Sequence, residues 1–168
     1  AIHPGYGFLS ENAAAAQRCI DAGLVWIGPT PEQIERLGDK ITAKRLALEL
    51  GVPSAPFHVL TQDAPLPDLD YPVLVKAAAG GGGRGMRVVH RAEDLPSAVS
   101  TARTEAQRSF GDPTVFVEPY LDNGRHVEVQ IMGDQHGNVV HLGDRDCSIQ
   151  RRNQKVIEEA PAPHLDEE

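Results

Sequence analysis

Val73-Leu74-Val75-Lys76-Ala77-Ala78-Ala79-Gly80-Gly81-Gly82-Gly83-Arg84-Gly85-Met86-Arg87-Val88-Val89-His90 decides the fold. Val73 to Lys76 reads as an apolar strand, Gly80 to Gly85 as a glycine-rich loop and Met86 to His90 as a second strand. Gly80, Gly82 and Gly85 satisfy G-x-G-x-x-G, but in a dinucleotide-binding fold that loop opens a helix, so that pyrophosphate meets the helix N-terminus. A β-like Met86-Arg87-Val88-Val89 follows here, so that reading fails. A Walker loop fails as well, because Met86-Arg87 stands where Lys-Ser/Thr is required. A glycine hairpin can instead fold over nucleotide phosphates, its unhindered N–H groups serving as donors. Protein kinases use the same device, but their lysine lies on a later strand, and neither His-Arg-Asp nor Asp-Phe-Gly occurs here. Lys76, four residues before the first loop glycine, is the lysine of a phosphate lid. A bare glycine linker is the weaker reading, since linkers rarely hold an arginine or sit between two apolar strands.

Downstream, Leu95, Ala98, Val99, Ala102 and Ala106 share one helical face that ends at Gly111, and Thr114 to Glu118 reads as a strand. Three strands and a helix therefore make a compact unit. Upstream lies the proline-rich stretch Pro53 to Pro72, which places a domain boundary. Before it, Ser10 caps a helix from Glu11 that ends at Gly23, and Leu24 to Ile27 reads as a short strand. Thr30, Pro31 and Gln33 form a capping box, Gly38 closes that helix, and Asp39 caps another that Gly51 and Pro53 stop. Beyond the Asn123-Gly124 turn, Val127, Val129 and Ile131 alternate with His126, Glu128 and Gln130 as in a half-buried strand. Asn138 to Leu142 and Cys147 to Gln150 read as two further strands.

The 168 residues carry 16 Lys plus Arg against 24 Asp plus Glu, a net charge of −8. Such a chain repels polyphosphate on average, which argues against general nucleic-acid or anionic-membrane binding. Any anion must meet a local cluster. No apolar run is long enough to span a bilayer and no signal peptide is visible, so a cytoplasmic location is expected. Cys19 and Cys147 match no metal or redox spacing and read as reduced thiols. The chain opens on Ala1 and stops in an acidic run, as an internal segment of a longer protein would. Two places can supply the cluster. Lys40 follows the Asp39 cap at a helix N-terminus, a position suited to anions. Arg145, Arg151, Arg152 and Lys155 crowd among Asp144, Asp146, Glu158 and Glu159, which suits a small anionic substrate, an internal salt-bridge lattice, or both.

The stretches Ala1 to Asn12, Gly38-Asp39-Lys40, Lys76 to Met86, Arg125-His126-Val127-Glu128 and Asp146 to Arg152 continuing through Lys155 to Pro163 resemble, in order and along the whole chain, biotin carboxylase, most of all the form in acyl-CoA carboxylases. The resemblance implies an α/β (α+β) ATP-grasp fold in part: residues 1–54 the end of the N-terminal domain, 55–120 the lid, and 121–168 the start of the C-terminal domain. It implies ATP-dependent carboxylation of biotin on a carrier domain, bicarbonate attacking the γ-phosphate to give carboxyphosphate. Lys40 and Lys76 would then hold ATP phosphates under Gly80, Gly81, Gly82 and Gly83, with Met86 beside them. Glu118, the Pro119 carbonyl, Tyr120 and the Leu121 N–H would meet adenine, and His126, Gln150 and Asn153 the ribose and phosphates. Lys155 would hold bicarbonate with Glu128 near it, and Arg152 would join them. Proline keeps the carbonyl that adenine needs where some members have lysine, and Asn153 stands where others have histidine. The Mg2+ or Mn2+ ligands are expected beyond residue 168, with none in the segment, so the segment alone should be inactive. Implied partners are a biotin carboxyl carrier domain, a carboxyltransferase subunit and a second copy of the enzyme. Pyruvate and urea carboxylases, carbamoyl-phosphate synthase and a non-catalytic nucleotide sensor are the alternatives, and a mitochondrial location fits a eukaryotic source.

Overall fold

The computed structural model describes residues 1–61, 64–80 and 85–165. Two compact units make up the chain, Ala1–Tyr120 and Leu121–Glu168.

The first unit starts with a 3-10 turn, Phe8–Glu11. The Ser10 hydroxyl donates to the Gly7 carbonyl at 2.9 Å and so is spent inside that turn. The cap passes to Asn12, whose side chain accepts from the Ala15 N–H at 2.8 Å, and α1 runs Ala13–Asp21. Leu24 to Ile27 does not become a strand. Its pairing is one isolated bridge between Ile2 and Trp26, too little for a ladder. The remaining caps are as expected: α2 is Pro31–Gly38 with the full Thr30–Gln33 capping box, and α3 is Lys40–Glu49 with Asp39 accepting from the Thr42 N–H. Each such cap stabilises its helix by about 1 kcal/mol. Ala16, Trp26 and Ile34 pack together, whereas Ile41 of α3 packs on Ala78 and Phe116 and so joins this helix to the sheet.

That sheet has four antiparallel strands in the order β1-β4-β2-β3: β1 His58–Leu60, β2 Val73–Ala77, β3 Arg87–Val89 and β4 Val115–Pro119. β1 adds a fourth strand to the three expected, because three residues among prolines carry no periodic signal yet suffice at a sheet edge. Helix α4, Leu95–Phe110, covers one face, and Gly111 closes it at φ +75°. Val73, Val75, Val115 and Val117 point into the core under α4 with Leu95, Val99 and Ala102. By strand alternation Lys76 and Glu118 project from the opposite face, the one Phe116 shares with Ile41. The period-2 pattern thus decides which side of the sheet carries charge.

The second unit is a three-stranded antiparallel meander, β5 Val127–Gly133, β6 Val139–Arg151 and β7 Gln154–Glu159. Asn138 to Leu142 and Cys147 to Gln150, expected as two strands, are parts of one long β6. The third strand is the charge-rich Gln154–Glu159, whose polar pattern hides it in the sequence. Bulges interrupt the register between Val129 and Ile131 and twice between Asp146 and Gln150. Arg151 pairs with Gln154, leaving Arg152 (φ +51°) and Asn153 (φ +64°) as a two-residue turn with both residues left-handed. Among the described residues no helix is long and apolar enough to cross a membrane.

Candidate functional site

Two lysines grip one carboxylate in the first unit, and a third stands close by. Lys76 on β2 donates to Glu118 Oε1 of β4 at 2.9 Å, and Lys44 on α3 approaches Glu118 Oε2 at 2.9 Å. The Glu118 side chain is only 11% exposed, so its charge is held by these cations rather than by water. Burial pushes its pKa up, and hydrogen bonds from Lys76 and Lys44 overcome that and leave it below the usual carboxylate value. Lys40, at the first position of α3, donates to the Ala78 carbonyl at 3.4 Å and to the Gly80 carbonyl. Burial first, then the charge of Lys76, lowers its pKa, with Asp39 opposing. An ammonium pressed toward neutrality beside another cation favours the arrival of an anion.

Gly80 marks the base of the loop. Its φ is +82°, and a Cβ there would run into the Phe110 ring at the end of α4. Gly85 has φ +72° and lies against Ala77. Both ends of the loop therefore require glycine for steric reasons. Gly81, Gly82, Gly83 and Arg84 lie outside the described residues. Met86 is partly buried just before β3, Pro119 ends β4, and the Tyr120 N–H donates to the Pro72 carbonyl at 3.0 Å.

The second unit has a matching knot. Glu128 of β5 receives Arg145 Nε at 2.9 Å and Arg145 Nη2, while Lys155 of β7 donates to its other oxygen. Those bonds, from Lys155 first and Arg145 second, hold the Glu128 pKa down to about 2 and raise those of both cations. Gln150 sits with its amide nitrogen 2.9 Å from His126 Nδ1 and donates to the Cys147 carbonyl. With that nitrogen as donor, Nδ1 accepts, so the neutral ring carries its proton on Nε2, 3.9 Å from Glu128. Asp146 is held by Ser148 and Arg125, with a pKa of about 2. Arg125 also reaches the Pro163 carbonyl at 2.5 Å, which fastens the segment after β7.

Glu128, Lys155, His126 and Gln150 are thus brought together, and so are Lys40, Lys76, Gly80 and Glu118. Arg152 and Asn153 are not in the Glu128 knot but in the exposed β6–β7 turn, and Leu121 is exposed at the start of the second unit. Two partners are not apparent from the motifs. Arg145 lies directly opposite Glu128 across the β5–β6 ladder, which only the register reveals. Lys44 stands one helical turn after Lys40, and that spacing is the signal that points to it.

A strand lysine, a glycine turn and a cation at a helix start make an anion-suited cluster on an antiparallel sheet. The sequence matches the family described as the carbamoyl-phosphate synthase L chain, ATP binding domain, over residues 39–168, and the biotin carboxylase N-terminal domain over residues 1–34. It is 52% identical to a biotin carboxylase of Pseudomonas aeruginosa, over 99% of this chain and 39% of that protein, and 52% identical to the human mitochondrial pyruvate carboxylase, over 99% of this chain and 15% of that protein. The biotin carboxylase domain of the Hydrogenobacter thermophilus 2-oxoglutarate carboxylase, solved as a dimer with MgADP, ADP and bicarbonate, superposes with a TM-score of 0.90 at 45% identity, covering 99% of this chain and 38% of that one. The chain belongs to the biotin carboxylase family and has part of its ATP-grasp fold. It spans about two fifths of the length of the Pseudomonas relative.

The metal in the Hydrogenobacter complex raises the question of ligands here. Among the described residues one group, Glu128, Cys147 and Glu158, has its candidate ligand atoms within 4.8 Å. Both Glu128 oxygens are already taken by cations, and Cys147 is a buried thiol, a soft donor where Mg2+ requires oxygens. These residues do not fit Mg2+ or Mn2+.

Proposed function

We propose that the chain is the ATP- and bicarbonate-handling part of a biotin carboxylase, an ATP-dependent ligase that carboxylates biotin on a carrier domain. The observation that carries this reading is the pairing of Lys40 and Lys76 at the base of the Gly80 turn, with Lys40 depressed toward its neutral form. In this reading residues 1–54 end the N-terminal domain, 55–120 form the lid and 121–168 open the C-terminal domain. Lys40 and Lys76 neutralise ATP phosphates under the glycine loop, Gly80 to Gly83, with Met86 alongside. Glu118, Pro119, Tyr120 and Leu121 meet the adenine, and His126, Gln150 and Asn153 the ribose and phosphates.

Lys155 holds bicarbonate, and Glu128 fixes the position of that ammonium while Arg145 offsets the Glu128 charge; Glu158, 3.8 Å from Lys155, is the second carboxylate there. A bicarbonate oxygen attacks the γ-phosphorus, the bond to the ADP oxygen breaks, and carboxyphosphate forms. Its C–O bond to phosphate breaks to give CO2 and phosphate, the CO2 carbon bonds to the biotin ureido nitrogen, and the N–H proton lost there goes to the released phosphate. Arg152, three residues before Lys155 and outside the Glu128 knot, is proposed to add positive charge to this step from the β6–β7 turn, where preorganised cations offset accumulating negative charge. Mg2+ or Mn2+ would supply further positive charge against the phosphates, and its ligands are proposed to lie outside this segment.

Acetyl-CoA or propionyl-CoA is the proposed final acceptor, on the resemblance to the acyl-CoA carboxylase form; carboxylases of pyruvate and 2-oxoglutarate share the segment. A carrier domain, a carboxyltransferase subunit and a second enzyme copy are the proposed partners, in the cytoplasm or the mitochondrial matrix. The test is bicarbonate-dependent ATP cleavage by the intact carboxylase. Lys155→Ala is expected to lower that turnover at least about a hundredfold while leaving ATP affinity within about threefold. Unchanged turnover refutes the role of Lys155.

A further inference from the structure

We propose that Lys44 is a positioning residue for nucleotide binding: it holds one oxygen of Glu118 so that Lys76 keeps its charge and free donors for polyphosphate. The inference deepens the proposed function and rests on ATP binding at Lys40 and Lys76.

Lys40 and Lys44 lie one turn apart on α3, yet their surroundings differ. Lys44 Nζ donates to Ser54 Oγ and to the Ala55 carbonyl, both at 3.2 Å, and meets Glu118 Oε2 at 2.9 Å. It also sits 5.5 Å from the centre of the Phe57 ring. An ammonium has three donors, and these three acceptors use them all. Lys44 therefore cannot take a phosphate oxygen without breaking a bond. Lys76 has one such acceptor among the described residues, Glu118 Oε1, and otherwise faces the Phe116 ring at 5.9 Å. Among the described residues no other acceptor takes its two remaining donors.

Glu118 divides its two oxygens between the two lysines. Without Lys44, the second oxygen of a largely buried carboxylate loses the cation that holds it. Rotation of the carboxylate onto Lys76 is then the available remedy, because an unpaired buried charge is costly. That rotation draws further Lys76 donors onto Glu118. It also leaves the carboxylate charge to be offset by Lys76 alone, where Lys44 now shares it. Polyphosphate then meets a weaker cation. Lys44 acts through Glu118, without touching substrate.

The experiment compares the intact wild-type carboxylase with Lys44→Met, Lys44→Gln and Lys44→Arg. ATP affinity is measured by calorimetry without bicarbonate, and KM and kcat by bicarbonate-dependent ATP cleavage. In Lys44→Met and Lys44→Gln, Kd and KM for ATP are expected to rise about tenfold, with kcat at saturating ATP within about twofold. Lys44→Gln retains an amide donor for Ser54 or Ala55 but no charge, so it separates the hold on Glu118 from loop anchoring and carries the test if Lys44→Met does not fold. Lys44→Arg keeps the charge and several donors and is expected to restore ATP affinity to within about threefold. Wild-type ATP affinity in Lys44→Gln, or equal defects in the arginine and glutamine variants, overturns the inference alone. Failure of the wild-type protein to bind ATP overturns the proposed function and the inference with it.

Discussion

Two glutamates, Glu118 in the first unit and Glu128 in the second, are each gripped by two cations from different elements, and the resemblance ends there. Glu118 is 11% exposed and works against burial, its ionisation sustained by Lys76 and Lys44. Glu128 is 25% exposed, loses little to burial, and is held near a pKa of about 2 by Lys155 and Arg145. In each pair one cation is held mainly by the protein, Lys44 by three acceptors and Arg145 by Glu128 and Gln130, and the other, Lys76 or Lys155, is the one the proposed function assigns to an anion. The shared design explains how an acidic chain presents positive charge locally. In the proposed function the carboxylate aims the working lysine, and the second cation shares the charge of that carboxylate. The difference in burial predicts which pair matters more to folding.

The largest effect is expected from removing the buried member. Glu118→Ala leaves Lys44 and Lys76 facing each other without an anion and should cost about 3 kcal/mol of local stability, read as faster amide exchange in β2 and β4 of the intact protein. Glu128→Ala should loosen β5 to β7 less, and about 0.5 M salt should erode the difference between wild type and variant, since partly exposed pairs are screened. Equal losses at the two sites would break the comparison.

Acid should expose the pairs next. The folded Glu128 pKa of about 2 lies below its ordinary 4.5, so its stabilising contribution is complete above pH 4.5 and disappears as the pH falls through about 2. Carboxyl 13C shifts of labelled protein should find Glu128 still ionised at about pH 3.5, midway through that window. Half-protonation there would mean that Lys155 and Arg145 do not hold it. A smaller effect concerns Lys40, whose lowered pKa means that part of its population gives up a proton at alkaline pH. Polyphosphate raises that pKa, so ATP binding at alkaline pH should take up a fraction of a proton, measurable as a dependence of calorimetric heat on buffer ionisation. No uptake would place the phosphates elsewhere.

Local signals along the chain carry much of this architecture. The caps Thr30 and Asp39, the α4 face from Leu95 to Ala106 and the strand–loop–strand order around Gly80 are legible in the sequence because neighbouring residues settle them. Ser10 does not cap a helix because its hydroxyl has a nearer acceptor in the Gly7 carbonyl. β1 is hidden because three residues at an edge need no period, and β7 because Val156 and Ile157 stand side by side between polar ends and show no alternation. Register is the largest loss. The facing of Glu128 and Arg145 across a bulged ladder, and the reach of Lys44 from a helix to β4, are long-range facts that spacing along the chain does not encode. Lys40 and Lys76 are legible because each sits beside a local mark, a cap in one case and a glycine run in the other.

The smallest stability change tests whether strain accompanies function. Arg152 has φ +51° and Asn153 φ +64° in a turn that prefers Asn-Gly, and asparagine tolerates that region where arginine does not. Arg152→Gly should therefore stabilise the β6–β7 hairpin by about 1 kcal/mol, through a side chain that is exposed and lies outside the Glu128 knot. The variant therefore tests the proposed catalytic role of the Arg152 charge separately from its backbone conformation. Bicarbonate-dependent ATP cleavage by Arg152→Gly should accordingly fall at least about tenfold while hairpin amide exchange slows. Slower exchange with full activity would remove Arg152 from the site and leave Lys155 as the cation of the second unit that meets bicarbonate.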